Sequence, residues 1–280
     1  MAAGFSLTDT YCRMIPQLTN IQGRPTRGPD VDRLSTWGRR RLRRLGYRSY
    51  YRLVAVNYAR RWFAPENTTP AGAFRSYELL PRHGSDTMLA ALDAHCGPEA
   101  VIYDLGANVG VYSLALASDA PDRHLIAVEP APRTCAHLRA NVECNDLGDR
   151  IEVAECGVGD ADDTRPFFVS TYPELSGFDR ESATRWEADL AETVDVPIRR
   201  VDTLVGSHPP PDAIKVDVEG ASPAVLRGAQ ETLATHRPTL FIEVHEEGLS
   251  ADTGREVRAI LSAVDYAIDE YEDYWQCEPA

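Results

Sequence analysis

Between Val101 and His245 short apolar runs alternate with segments of helical period, and this alternation constrains the fold more than any other feature of the chain. The runs are VIYDL (101–105), LIAV (125–128), IEVAE (151–155), AIKVDV (213–218) and TLFIEVH (239–245). Helical segments lie between them: GVYSLALAS, a stretch from Pro130 to about Asn145, and PAVLRGAQETLA. A further helix, in SDTMLAALDAHC, precedes the first run and has Ser85 or Asp86 as its cap. Strands this short and this apolar must be covered on both faces, and repeated βα order covers them with helices. The pattern predicts a doubly wound α/β fold around a parallel sheet.

The alternation does not reach the N-terminus. From Arg24 to Arg61 the chain is rich in arginine and aromatic residues, which predicts one or two basic helices with Leu42, Leu45, Leu53, Val54 and Tyr58 on one face. Pro65, Pro70 and Gly72 then break the pattern, so a boundary is expected near residues 70–76, with an extension over 1–75 and the α/β domain over 76–280. Residues 1–75 carry fourteen arginines against Asp9, Asp30, Asp32 and Glu66, a balance of +10 that leaves −24 for the rest of a chain whose total is −14. So acidic a body repels nucleic acid. The basic segment suits docking on that body, an anionic membrane surface or an anionic substrate. Six scattered cysteines form no C-x-x-C pair, and neither a signal-peptide pattern nor an apolar run long enough to span a membrane occurs. These features together are those expected of a cytoplasmic protein.

Chemistry concentrates where strands end. In YDLGANVGVYS an apolar strand runs to Asp104, which is counted among the cofactor contacts, and Gly106, Ala107, Asn108 and Gly110 lead into the next helix. Glycines let the backbone approach a ligand, and the helix start presents N–H groups with partial positive charge. Glu129 closes the following strand, 23 residues beyond Gly106, where an acid accepts hydrogen bonds from both hydroxyls of a ribose. The pair signals a nucleoside cofactor. A dinucleotide fingerprint requires G-x-G-x-x-G, but Asn108 stands at the middle glycine and no glycine follows Gly110 at the required spacing. The methionine tail of S-adenosylmethionine asks less of this loop.

IKVDVEG places Lys215, Asp217 and Glu219 on one side of the chain, provided that strand geometry persists to Glu219. Lys215 is the only lysine beside 28 arginines, which suggests a position where a compact ammonium fits and a planar guanidinium does not. Glu243 and His245 share a face in TLFIEVH, and they would meet the first group if the two strands were neighbours. His245 is a candidate base for a hydroxyl, with Asp217 and Glu219 as alternatives, and Lys215 would orient the carboxylates or stabilise the developing oxygen charge. Nothing in the spacing of Asp217, Glu219 and Glu243 demands a metal, and none is expected.

Taken together, YDLGANVGVYS, IAVEPAPRTCAHLRANVECN, AECGVGD, RRVDTL and IKVDVEGASPAVLRGAQETLATHRPTLFIEV resemble the FkbM-type S-adenosylmethionine-dependent methyltransferases from about Val101 to His245. The resemblance implies a class I methyltransferase (Rossmann-like) fold with a seven-stranded sheet, and O-methylation of a sugar, glycan or natural-product hydroxyl. It places Gly106, Ala107, Asn108 and Gly110 in the cofactor loop, Glu129 on the ribose and Asp217 beside the reactive methyl. The chain departs from the family's D-V-E-G-x-E at Ser222, so a role for a second glutamate does not carry over. The acceptor is expected to be a small molecule or glycan, lipid-linked in one version. A nicotinamide-dependent dehydrogenase and a non-catalytic cofactor-binding scaffold are the competing readings.

Overall fold

The computed structural model describes residues 46–80, 83–185, 188–218, 220–244 and 251–280. Glu219, His245 and residues 1–45, with Leu42 and Leu45 among them, lie outside the described residues.

Helix α1 covers residues 46–60 and leads into a hairpin of β1 (Glu66–Thr69) and β2 (Gly72–Arg75). The packed stripe of α1 is Val54, Asn57 and Tyr58. Leu53, expected on that stripe, is 61% exposed, because it lies about 100° round the helix from Val54. Tyr58 stacks on His137 at 3.7 Å between ring centroids and its hydroxyl accepts from Asn141 Nδ2 at 2.9 Å, so the described part of the basic segment docks on the acidic body. The hairpin occupies residues 66–75, and its Ala71 and Phe74 enter the main core.

The body follows as α2 (Thr87–His95), β3 (Val101–Leu105), α3 (Val111–Asp119), β4 (His124–Val128), α4 (Pro132–Cys144) and β5 (Ile151–Ala154). An arm of three strands comes next: β6 (Gly157–Val158), β7 (Asp163–Ser170) and β8 (Leu190–Arg199), with a short α5 (Arg180–Ala183) between the last two. Then come α6 (Val201–Val205), β9 (Ala213–Val216), α7 (Ser222–Arg227), α8 (Gln230–Thr235), β10 (Thr239–Glu243), α9 (Ala251–Ser262), β11 (Tyr266–Glu270) and β12 (Tyr274–Pro279).

Seven strands form the central sheet in the order β5-β4-β3-β9-β10-β12-β11, parallel except for β12, which runs antiparallel to both neighbours. Alternate residues of β3 feed opposite faces: Ile102 joins the core under α2 and α3, whereas Tyr103 and Leu105 join the core under the later helices. From β3 the chain winds outward to β4 and β5, then returns to β9 and winds the other way. The order therefore reverses between β3 and β9, and ligands of open α/β sheets bind outside the carboxyl ends of strands at such a switch point.

PAVLRGAQETLA, expected as one helix, is two short ones separated at Gly228. A Cβ there would lie 1.9 Å from the Gly159 carbonyl oxygen, so the close approach of the arm's base, rather than helical propensity, governs the chain at this point. The arm occupies the acidic stretch after residue 160; Phe167, Val196 and Ile198 close a small core with Ala131.

Candidate functional site

Four strand ends converge at the switch point, and local sequence explains each. Beyond β3 the chain turns through Gly106 (φ +80°), Asn108 (φ +51°) and Gly110 (φ +92°), a run of left-handed conformations that favours glycine and asparagine. Gly106 and Ala107 both donate backbone N–H to Val128 O, at 2.9 and 3.0 Å, which ties the loop to the end of β4. A Cβ on Gly106 would lie 1.9 Å from Asp217 O, so this glycine also permits the approach of the chain leaving β9. Gly110 is the N-cap of α3 and supplies no side-chain cap.

Glu129 sits just past β4, buried beneath that loop. Its Oε2 accepts from Asn108 N at 3.0 Å and its Oε1 from Ala131 N at 3.0 Å. Burial pushes its carboxyl up to about 7, and these two hydrogen bonds with the more distant Lys215 offset that only in part.

Asp104 and Lys215 are register partners on β3 and β9. Lys215 Nζ lies 3.0 Å from Asp104 Oδ1, an ion pair whose angle falls outside hydrogen-bond geometry, and 3.3 Å from Asp217 Oδ2; it donates to Gly106 O at 3.1 Å. Burial alone would lower the pKa of Lys215, but Asp104, Asp217 and Glu243 outweigh it and hold the ammonium above its ordinary value. The sequence reading puts Asp104 among the cofactor contacts. The structure turns it inward, 1% exposed, with Oδ2 accepting from Ser113 N and Oγ at 3.2 and 2.7 Å. It braces the loop from beneath.

β9 ends at Val216, so strand geometry stops before Asp217. Asp217 lies just past the strand, its N–H still donating to Leu105 O at 3.1 Å, and its side chain keeps about 29% of its surface accessible. β10 is the parallel neighbour of β9, with Phe241 opposite Lys215 and Ile242 opposite Val216, so Glu243 ends beside Asp217. Glu243, Asp217 and Lys215 thus share the crevice, while nothing is described for Glu219 and His245. Among the described residues no cluster of His, Cys, Asp and Glu could hold a metal ion.

Three residues at this site escape sequence reasoning. Tyr112, in the first turn of α3, places its ring 4.9 Å from Lys215 Nζ and donates its hydroxyl to Asp86 Oδ1 at 2.8 Å. Asp86, the N-cap of α2, accepts from Leu89 N at 2.9 Å and pairs with His83 Nδ1 at 2.7 Å. The only available signal was the S-D cap of α2, which indicates a helix start and nothing more.

A family model for the methyltransferase FkbM domain matches residues 104–268. Among curated proteins, the methyltransferase sdnD of Sordaria araneosa is 28% identical over 46% of this chain and 60% of its own. The 31-O-demethyl-FK506 methyltransferase FkbM of Streptomyces tacrolimicus is 25% identical over 53% of this chain and 66% of its own. The antimetabolite synthetase AmbE of Pseudomonas aeruginosa is 27% identical over 56% of this chain and 9% of its own. The chain thus covers less than two thirds of each of these relatives. Among solved structures, a methyltransferase FkbM from Methylobacillus flagellatus aligns with a TM-score of 0.46 and 19% identity, over 65% of this chain and 44% of that one. Among the described residues no helix is long and apolar enough to cross a membrane.

Proposed function

Because this chain belongs to the FkbM methyltransferase family, we propose that it uses S-adenosylmethionine to methylate a hydroxyl oxygen of a small molecule or glycan. The observation that carries the reading is the convergence of a glycine loop, a buried ribose-type acid and a lysine-carboxylate group at one switch point.

The donor set fits the cofactor. Glu129 is a desolvated carboxylate held by two backbone N–H groups, and the hydroxyls of a ribose would add the donors that favour its ionised form. The backbone of Gly106, Asn108 and Gly110 and the start of α3 form a surface for the methionine end. When bound, the cofactor supplies a methyl carbon on a positively charged sulfur that departs as a neutral thioether.

The side chains do the rest by positioning and by excluding water. Lys215 stays protonated between Asp104 Oδ1 and Asp217 Oδ2, and through the second contact it positions the Asp217 carboxyl at the crevice. Asp217 and Glu243 accept hydrogen bonds from the acceptor and aim its oxygen. The proton that the acceptor hydroxyl gives up would pass to a base of this chain.

Calorimetry with S-adenosylhomocysteine, and with NAD as the control, tests the cofactor. Binding of the first and not the second is expected, with a loss of tenfold or more in Glu129→Ala. Methyl-labelled S-adenosylmethionine, incubated with cell extract fractionated into glycans, lipids and small molecules, tests the transfer. Label in no fraction would sink the reading.

A further inference from the structure

The proposed reaction needs a proton acceptor, and among the described residues His83 is tied to the crevice through the ring of Tyr112. Its Nδ1 is engaged by Asp86 Oδ2 at 2.7 Å, which leaves Nε2 as the nitrogen able to take a proton. The ring packs edge-on to Tyr112, with centroids 5.9 Å apart and planes at 78°, and the same Tyr112 ring lies 4.9 Å from the Lys215 ammonium. Tyr112 also feels Glu243 and Asp217 electrostatically, so these carboxylates, Lys215 and the His83–Asp86 pair surround one aromatic ring. That ring belongs to the first turn after the glycine loop.

We propose that His83, oriented by Asp86, is the base that takes the proton of the acceptor hydroxyl, with Tyr112 fixing the pair relative to Lys215. This inference rests on the methyl-transfer reading above. In the step, the acceptor O–H bond breaks toward His83 Nε2, the oxygen pair forms the new O–C bond, and the C–S pair stays on sulfur. The imidazolium then returns its proton to solvent, to which the half-buried His83 ring has access.

The competing account makes Asp86 a helix cap and nothing else. Capping, however, uses only Oδ1, which takes Leu89 N; Oδ2 is spent on His83. Burial would push the Asp86 carboxyl up, but the hydrogen bonds of His83, Leu89 and Tyr112 hold it below the ordinary carboxylate range, so it stays ionised as an orienting group. His83 has a left-handed backbone (φ +62°), an uncommon conformation that places its ring beside Asp86. The charged and titratable groups that face the pair are Tyr112 and, beyond it, Lys215, Asp217 and Glu243, together with Tyr274 near Asp86.

Two variants separate the accounts. His83→Asn keeps a residue that tolerates left-handed backbone, and Asp86→Asn keeps a good helix cap while removing the charge. The wild type and both variants are compared for S-adenosylhomocysteine affinity by calorimetry and for the rate of label transfer from S-adenosylmethionine into extract across pH. Affinities within threefold of the wild type are expected. His83→Asn should lose at least tenfold in transfer, and general-base losses commonly reach 10²–10⁴-fold. The fall of rate on the acid side should vanish with it, and Asp86→Asn should also lose tenfold or more. The inference is overturned if either variant keeps more than a tenth of the rate, if the acid limb survives in His83→Asn, or if affinity and rate fall together. If the wild type binds the probe and transfers no label, the methyl-transfer reading has failed first, and this one falls with it.

Discussion

Replacing Lys215 by methionine removes the one cation buried between Asp104 and Asp217 while leaving the volume nearly unchanged. The lysine side chain is 3% exposed and Asp104 1% exposed, so water cannot take over the role of the ammonium 3.0 Å from Asp104 Oδ1. Oδ2 keeps its bonds to Ser113 N and Oγ, and Oδ1 keeps nothing cationic. Breaking a buried pair by removing one partner costs about 3–5 kcal/mol. For a domain of this size that corresponds to a fall in Tm of roughly 6–20 °C. Urea unfolding followed by circular dichroism at neutral pH reads the change as a lower midpoint at constant slope. The double variant Lys215→Met, Asp104→Asn should recover much of the loss, because Asp104, the most deeply buried partner of the lysine, then carries no uncompensated charge. Lys215→Arg should lose about 1–3 kcal/mol through overpacking although the charge is kept. A loss under about 1 kcal/mol in Lys215→Met, or a double variant as unstable as the sum of its single changes, would refute the reasoning.

Cofactor affinity should depend on pH through Glu129. Its carboxyl is pushed up to about 7 by burial, and ribose hydroxyls favour the ionised form, so the bound state has the lower value. Affinity for S-adenosylhomocysteine should therefore fall about tenfold per pH unit below 7 and level off above it, with protons released on binding below 7. Calorimetry in buffers of different ionisation enthalpy checks this, and a flat profile, or the same slope in Glu129→Gln, counts against it. Gly106→Ala forces a Cβ to 1.9 Å from Asp217 O at a φ of +80°, so stability should drop by at least about 2 kcal/mol and cofactor affinity more than tenfold. Retention of both in thermal melts and calorimetry would show that the loop relaxes freely.

The left-handed turn from Gly106 to Gly110, the place of Glu129 at the end of β4 and the nearness of Lys215 to Asp217 were legible because each is contiguous, so that local geometry decides what they present; strand geometry beyond Val216 was not. Even there, side-chain direction was not readable. Asp104 carries the right chemistry in the right motif, yet it faces Ser113 and Lys215 from below the loop. Leu53 and Val54 are equally apolar neighbours, and only the position of α4 decides that Val54 packs. The arm kept its pattern hidden for a similar reason. Val194, Val196 and Ile198 alternate plainly, but the surface they cover includes Ala131, about 65 residues earlier in the chain.

The alternation of apolar runs and helical segments was enough, by itself, for a doubly wound parallel sheet, since strands covered on both faces leave few other arrangements. The motif spacing was enough for the family. Tertiary structure alone brought His83 and Asp86 to Tyr112, and Tyr112 to Lys215, because a helix cap and a strand more than a hundred residues apart meet only when the sheet closes its order around the switch point. It also decided that the nearer partner of that lysine is Asp104 on the neighbouring strand, a non-local pairing that no local spacing encodes.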